Sequence, residues 1–483
     1  MIGNCPGSAQ WRALPCWSAS IRMTLFPRAC SSAARCTAMV VLPLPPFRPA
    51  NEMVPNMLIW LVTIGEPLPT DGPGDRLLRT GILAEHLVRH GHDVVWWTSA
   101  FDHVRKQHRC GGDNRISVSD RYRIWLLHAN GYSSNVSLAR IVNHHKVARS
   151  FRRLAPREPR PDVIVCSWPT VELCVESVRL GRAWGVPVVL DIRDLWPDSI
   201  ADLVPRGLRP AARLAMQSAY RQARYAASRA TAIAGITSEY VDWGLTYAGR
   251  SRTGLDRHFP LGYVDNCPSA SDIHDAERFW AGHGITKTND EFIACWFGML
   301  GRNSEIATVI GAARKLADLG KPVRFVLCGT GPDLERCRRL ARNCPNVLLP
   351  GWVNVAQIWT LLRFSSVGLA PYVSNNNYIR NVPNKPVEYL SAGLPIVSSL
   401  QGVLAKLLAA HDCGVTYRNG RADGLAQALV DLQDLPRLRQ MSANAAALYQ
   451  SQFVAENVYA EMQAYLYGVA KSGASARALA AAA

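Results

Sequence analysis

Met57-Leu-Ile-Trp-Leu-Val-Thr-Ile64 is almost wholly apolar, and its reading decides the fold. It is far shorter than the roughly 18–20 apolar residues a bilayer span requires. An unbroken apolar run of this length marks a strand buried on both faces. A loop containing Pro67, Pro69, Gly72, Pro73 and Gly74 follows. Leu77, Leu78, Ile82, Leu83, Leu87 and Val88 then recur at helical spacing up to a stop at Gly91. Asp93-Val-Val-Trp-Trp-Thr98 reads as the next strand. This β-α-β unit predicts a parallel sheet covered by helices on both faces.

The alternation runs on in both halves of the chain. Strands are expected at 162–166, 188–192 and 230–237, with helices at 171–184 and 210–228. A polar stretch at 262–290 reads as a linker plus one helix. A second set opens at 292–297, and strands at 323–328, 347–349, 367–370 and 396–397 alternate with helices at 306–319, 333–343 and 386–392. The expected fold class is α/β, two doubly wound Rossmann-like domains facing a central cleft. Their bounds are 57–285, linker included, and 286–468, with the last helix a candidate to return to the first domain. Residues 469–483 are rich in Ala and Ser and are expected to fray. Residues 1–56 hold four cysteines, five arginines and one acid without any sustained period. They read as a disordered or non-native extension ahead of a start at Met57.

Composition narrows the function. Apolar residues are 48% and charged residues 19%, which excludes a disordered chain. The 54 basic and 37 acidic residues leave a net charge of +17, so anionic partners are favoured. Thirteen cysteines contain no C-x-x-C pair and read as reduced cytosolic thiols. His90 and His92 form the only H-x-H, in a turn, and no metal site is expected. Gly72-Pro-Gly-Asp-Arg76 lacks the third glycine of a dinucleotide fingerprint, and no P-loop is present.

In open α/β sheets ligands bind beyond the carboxyl ends of the strands, so the strand-end loops carry the chemistry. Four such motifs are Phe297-Gly-Met-Leu-Gly-Arg302, Cys328-Gly-Thr-Gly-Pro-Asp333, Pro350-Gly-Trp-Val353 and Val382-Pro-Asn-Lys-Pro-Val-Glu388 running on to Val397. This ordered series resembles the nucleotide-sugar half of the retaining family 4 glycosyltransferases, of GT-B fold. The first half adds Leu87-x-x-x-Gly-His-x-Val94, Trp96-Trp-Thr-Ser-Ala-Phe-Asp-His103 and Asp191-Ile-Arg-Asp-Leu-Trp-Pro-Asp198. Those stretches are similar to the branch that builds bacterial surface polysaccharides and O-antigens. The resemblance spans roughly residues 57 to 468 and makes 57–285 the acceptor side and 286–468 the nucleotide-sugar side.

The resemblance implies a hexosyl- or N-acetylhexosaminyl-transferase that uses a UDP-sugar donor and needs no cofactor or metal. Arg302 matches the family's phosphate-binding arginine. Lys385, in a first helical turn where it opposes the helix dipole, wants a nearby anion. These two, with Asp194, are the catalytic candidates. Glu388 matches the glutamate that holds the ribose hydroxyls, and a carboxylate can accept from both hydroxyls of a cis-diol. Gly329 and Gly331 are expected to let backbone approach the nucleotide, Val353 to read the base through its backbone, and Gly72, Gly74 and Arg193 to contribute to the donor site. Arg380 stands where the family's Glu-x7-Glu motif has its first glutamate, and an Arg193–Asp194 pair steadying the strand end is the structural alternative for those two residues.

From 203 to 238 the chain has no acid but holds Arg206, Arg209, Arg213, Arg221, Arg224 and Arg229 among leucines. Two readings stay open: docking on an anionic membrane, or one solvated helix face. The expected acceptor is a saccharide or a polyprenyl-diphosphate-linked saccharide, and the expected location is the cytoplasm, with the inner face of the cell membrane as a peripheral site. Nucleic acid is not expected as a partner. The alternative functions are a nucleotide-sugar epimerase or hydrolase, and a non-catalytic nucleotide-sugar-binding subunit.

Overall fold

A computed structural model describes residues 55–72, 76–135, 137–287 and 291–482. The apolar stretch at 57–64 forms β1 (Leu58–Val62), buried from Ile59 onward. It lies between two parallel neighbours, β2 (Asp93–Ser99) and β7 (Val163–Trp168). Beyond β2 the chain makes a short pair, β3 (Phe101–Asp102) with β4 (Gln107–His108), then β5 (Asn114–Ser119) and β6 (Tyr122–Leu127). The sheet continues through β8 (Val188–Ile192), β9 (Ala232–Gly235) and β10 (Arg257–His258). Its order is β10-β9-β8-β7-β1-β2-β6-β5, parallel except for β5.

The second sheet holds β11 (Phe292–Phe297), β12 (Val323–Cys328), β13 (Val347–Gly351), β14 (Val367–Ala370), β15 (Ile396–Ser398) and β16 (Gly414–Thr416). All its pairings are parallel, in the order β13-β12-β11-β14-β15-β16. Each sheet is therefore doubly wound, with the strand order reversing between β1 and β7 and again between β11 and β14. The crevices above those two switch points are where such folds bind ligands. Among the described residues, no helix is long and apolar enough to cross a membrane.

The chain passes between the domains twice, and the two crossings lie side by side. Tyr263 N–H donates to the Phe453 carbonyl at 2.9 Å and Ala455 N–H to the Tyr263 carbonyl at 3.0 Å. The final helix, Ala455–Ala482, then packs on the first domain, where Val458, Tyr459, Met462 and Leu466 share a core with Ile59, Leu61 and Phe259. Residues 469–482 continue that helix instead of fraying. Alanine is the best helix former, Val469 and Ala470 are buried, and a side chain on Gly473 would strike Pro187 at 2.8 Å.

Two further expectations need correction. The helix at 210–228 is two helices, Arg209–Ala215 and Gln217–Arg229, separated at Met216. Positions 100–161 carry the β5–β6 hairpin and the helix Leu138–Leu154, neither of them foreseen. β5 is mostly exposed, and Leu138–Leu154 is crowded with Arg and His, so neither shows a clear apolar period. The extension placed at 1–56 lies outside the described residues as far as position 54.

Candidate functional site

The strand-end loops of the second sheet converge on the helix Asn384–Ser391. Lys385 lies in its first turn, which carries no acid. The Lys385 stem crosses Gly298, at the end of β11, so closely that a Cβ there would sit 2.5 Å from Cε. Gly298 also has φ +151°, a backbone region that favours glycine. The Lys385 ammonium lies 5.7 Å from the ring centre of Trp296 and 5.6 Å from that of Tyr372. Among the described residues no carboxylate pairs with it, and burial lowers its pKa, with Glu388 pulling the other way. Arg302, four residues beyond Gly298, is exposed and makes no ion pair among the described residues. Two cations without counter-charges at a sheet's carboxyl edge suit an anion with several oxygens.

Glu388, one turn on from Lys385, is 5% exposed. Its Oε1 accepts from Arg76 Nη1 at 2.8 Å, and the Arg76 guanidinium rests 4.7 Å above the Tyr263 ring. Burial pushes the Glu388 carboxyl up, against the opposing pull of Arg76 and Lys385. Arg76 belongs to the loop after β1, so this ion pair spans the cleft. Sequence reasoning missed it, because in that stretch only the glycines were weighed, as a dinucleotide fingerprint and as a donor-site loop.

The two loop glycines are sites of close backbone packing. A Cβ on Gly329 would lie 1.8 Å from the Gly298 carbonyl oxygen, and one on Gly331 2.3 Å from that of Leu300. Both have positive φ, +137° and +147°. They let the β12 loop seat against the β11 loop, so the space at their α-carbons is filled by protein backbone. Val353 buries its side chain in the core, leaving only its backbone for a ligand, whereas neighbouring Trp352 is 70% exposed.

On the first domain Arg193 and Asp194 part company. Arg193 pairs with Glu66, donates to Asp191 at 2.8 Å and to Thr80 Oγ1 at 2.8 Å. This corrects the expectations of a donor-site Arg193 and of an Arg193–Asp194 pair: the guanidinium is already engaged by two acids. Asp194 instead accepts from Leu195 N–H at 2.7 Å and Ser199 Oγ at 3.2 Å, and burial raises its pKa. Leu195 N–H also reaches Asn377 Oδ1 of the second domain at 3.2 Å. Tyr240 Oη donates to the same oxygen at 2.6 Å, and Thr237 Oγ1 donates to the Arg380 carbonyl at 2.7 Å. The segment before Arg380 is thus docked on the first domain beside Asp194. Gly72 is exposed with φ +147°, and Gly74 lies outside the described residues. Lys385, Glu388 and the loop of Arg302 are brought together on one side of the cleft, with Asp194 on the other.

The family model "Glycosyl transferase 4-like domain" matches residues 78–252, and "Glycosyl transferases group 1" matches residues 291–434. The two together take in about two thirds of the chain. No curated protein matches it. A sucrose-phosphate synthase from Thermosynechococcus elongatus shares 17% identity and a TM-score of 0.61, over 89% of this chain and 100% of that one. Anabaena HepE in complex with UDP shares 16% and 0.57, over 85% and 99%. WaaG, a glycosyltransferase involved in lipopolysaccharide biosynthesis, shares 15% and 0.54, over 82% and 96%. These likenesses establish the GT-B fold. The chain is a glycosyltransferase, with a glycosyl transferase 4-like domain followed by a glycosyl transferases group 1 domain.

Proposed function

We propose that the enzyme moves a sugar, with retention of configuration, from a UDP-sugar to a saccharide or polyprenyl-diphosphate-linked saccharide in cell-surface polysaccharide synthesis. The observation that carries this reading is the uncompensated Lys385 ammonium one helical turn from the buried Glu388 carboxylate, at the carboxyl edge of the second sheet. Cation and carboxylate so placed match the two ends of a nucleoside diphosphate: phosphate oxygens for Lys385 and Arg302, ribose hydroxyls for Glu388. A relative of the same fold, Anabaena HepE, is known with UDP and with UDP-glucose, which supports uridine as the base. WaaG's role in lipopolysaccharide biosynthesis supports a surface-polysaccharide setting.

In this reading the acceptor hydroxyl attacks on the face the diphosphate leaves, and a phosphate oxygen of the leaving group takes its proton. Lys385 and Arg302 stabilise the charge that builds on that diphosphate. Asp194, across the cleft, accepts from an acceptor or sugar hydroxyl.

Calorimetry with UDP, beside GDP and NAD, tests the site. UDP binds to the full chain, and Glu388→Ala weakens it about 10–100-fold, the range for hydrogen bonds to a charged group. Because burial raises the Glu388 pKa and only the carboxylate accepts from both hydroxyls, acidification weakens binding with a midpoint above the ordinary ~4.3. Binding of GDP or NAD in place of UDP would remove the donor assignment.

The same proposal includes peripheral contact with an anionic membrane through 206–229. The helix Arg209–Ala215 buries none of its residues, and Leu208 and Leu214 are 59% and 71% exposed among the arginines. Leu208→Glu with Leu214→Glu is expected to abolish co-sedimentation with phosphatidylglycerol vesicles while UDP binding persists. Unchanged sedimentation would leave the arginines as a solvated face.

A further inference from the structure

We propose that His86, His90 and Glu456 form a binding site for one divalent transition-metal ion, which ties the last helix to the first domain. His86 lies in the helix Arg79–Arg89 and His90 caps it one turn later. Glu456 comes from the first turn of Ala455–Ala482, the helix that returns from the second domain. The Glu456 Oε1 is 3.4 Å from His86 Nδ1 and 3.8 Å from His90 Nε2, and the three atoms lie within 4.8 Å of one another.

Their hydrogen bonds fix what each ring presents. His86 Nε2 meets the Gln463 amide oxygen at 2.9 Å, and that oxygen can only accept. In the tautomer that donates from Nε2 to this oxygen, Nδ1 turns a bare lone pair toward Glu456. His90 Nδ1 meets the His86 backbone carbonyl at 2.7 Å, so its proton is there and its Nε2 is bare. Two imidazole lone pairs and a carboxylate oxygen then converge with no hydrogen between them. His86 Nδ1 is buried without a hydrogen-bond partner, and Arg89 takes the other Glu456 oxygen, leaving Oε1 free. Three such groups aimed at one point offer a cation two imidazole nitrogens and a carboxylate oxygen.

The set has the marks of a ligand cluster. Ligating histidines carry their second nitrogen on a carbonyl or similar acceptor, as both do here. Zinc binds imidazole and carboxylate at about 2.0–2.2 Å, which puts tetrahedral ligand atoms roughly 3.3 Å apart. The His86–Glu456 separation is already near that, and His90 and Glu456 are half exposed and can close the remainder. Two imidazoles select zinc, cobalt, nickel or copper over calcium or magnesium, which prefer oxygen. His92, the other member of the H-x-H, takes no part: its Nδ1 accepts from Met57 N–H at 3.2 Å.

The test is Co²⁺ titration of the metal-stripped full chain under reducing conditions, followed by visible absorption and calorimetry, with Zn²⁺ as competitor. One equivalent is expected to bind and raise Tm. His90→Ala and Glu456→Gln, both at accessible positions, are expected to weaken it more than about 100-fold, since even outer-shell partners of metal ligands cost about 10–100-fold. Their metal-free Tm values confirm that they fold. No binding by the parent protein would overturn the proposal. So would binding undiminished in both variants, which would place the ion on cysteines or elsewhere.

Discussion

Lys385→Ala is expected to lower kcat for sugar transfer by about 10²–10³-fold, the usual cost of removing one preorganised donor to developing charge. The fold should not suffer. Among the described residues the ammonium has no carboxylate partner, and burial works against its charge, so in the unliganded protein Lys385 is a net cost. Truncating it is expected to leave Tm unchanged or higher, the reverse of what a structural salt bridge would give. Lys385→Arg should not restore activity. Only a slender chain passes over Gly298, where Lys385 Cε already occupies the space of a missing Cβ. Steady-state kinetics separate the possibilities: a rise in KM with kcat intact would mean that Lys385 only binds the donor. A loss of Tm alongside activity would make it a packing residue.

That lysine was singled out in the sequence because two independent signals met on it, a strand-end loop and a cation in a first helical turn. The fold was legible for the same kind of reason. Strands such as Phe292–Phe297 and Val188–Ile192 are buried on both sides and so read as continuous apolar runs. What escaped were features made by tertiary contact alone. The Arg76–Glu388 pair joins positions 312 residues apart, and Arg193 looks free until Glu66 and Asp191 are seen around it. At Gly329 and Gly331 the sequence shows the glycines but not the Gly298 and Leu300 carbonyls that a side chain there would strike.

The largest effect on stability is expected at Asp191. This carboxylate is fully buried and receives two bonds from Arg79, Nε at 2.9 Å and Nη2 at 3.2 Å, and one from Arg193. Asp191→Ala strands the buried Arg79 guanidinium and leaves the mostly buried Arg193 with Glu66. Breaking a buried pair this way costs about 3–5 kcal/mol, measurable as a lower midpoint in urea unfolding followed by tryptophan fluorescence. Asp191→Asn should recover only part, because the amide keeps the shape without the charge. The pH dependence follows from the sign of the shift. Arg79 and Arg193 together outweigh burial and hold the Asp191 pKa far below its unfolded value of about 3.9. Its stabilisation is therefore complete above that value and lost only as pH falls through the lower folded pKa. The parent protein should lose almost none of it between neutrality and pH ~5, and the Asp191→Ala deficit should be constant over that interval. Arg79 also donates to the Phe259 and Pro260 carbonyls at 3.1 and 2.9 Å, just before the chain crosses to the second domain. An Asp191 variant that folds should accordingly hold its first crossing less firmly, and transfer should fall further than the loss of folded protein explains. Activity falling only in proportion to the unfolded fraction would confine Asp191 to stability and separate this network from the alignment of the cleft.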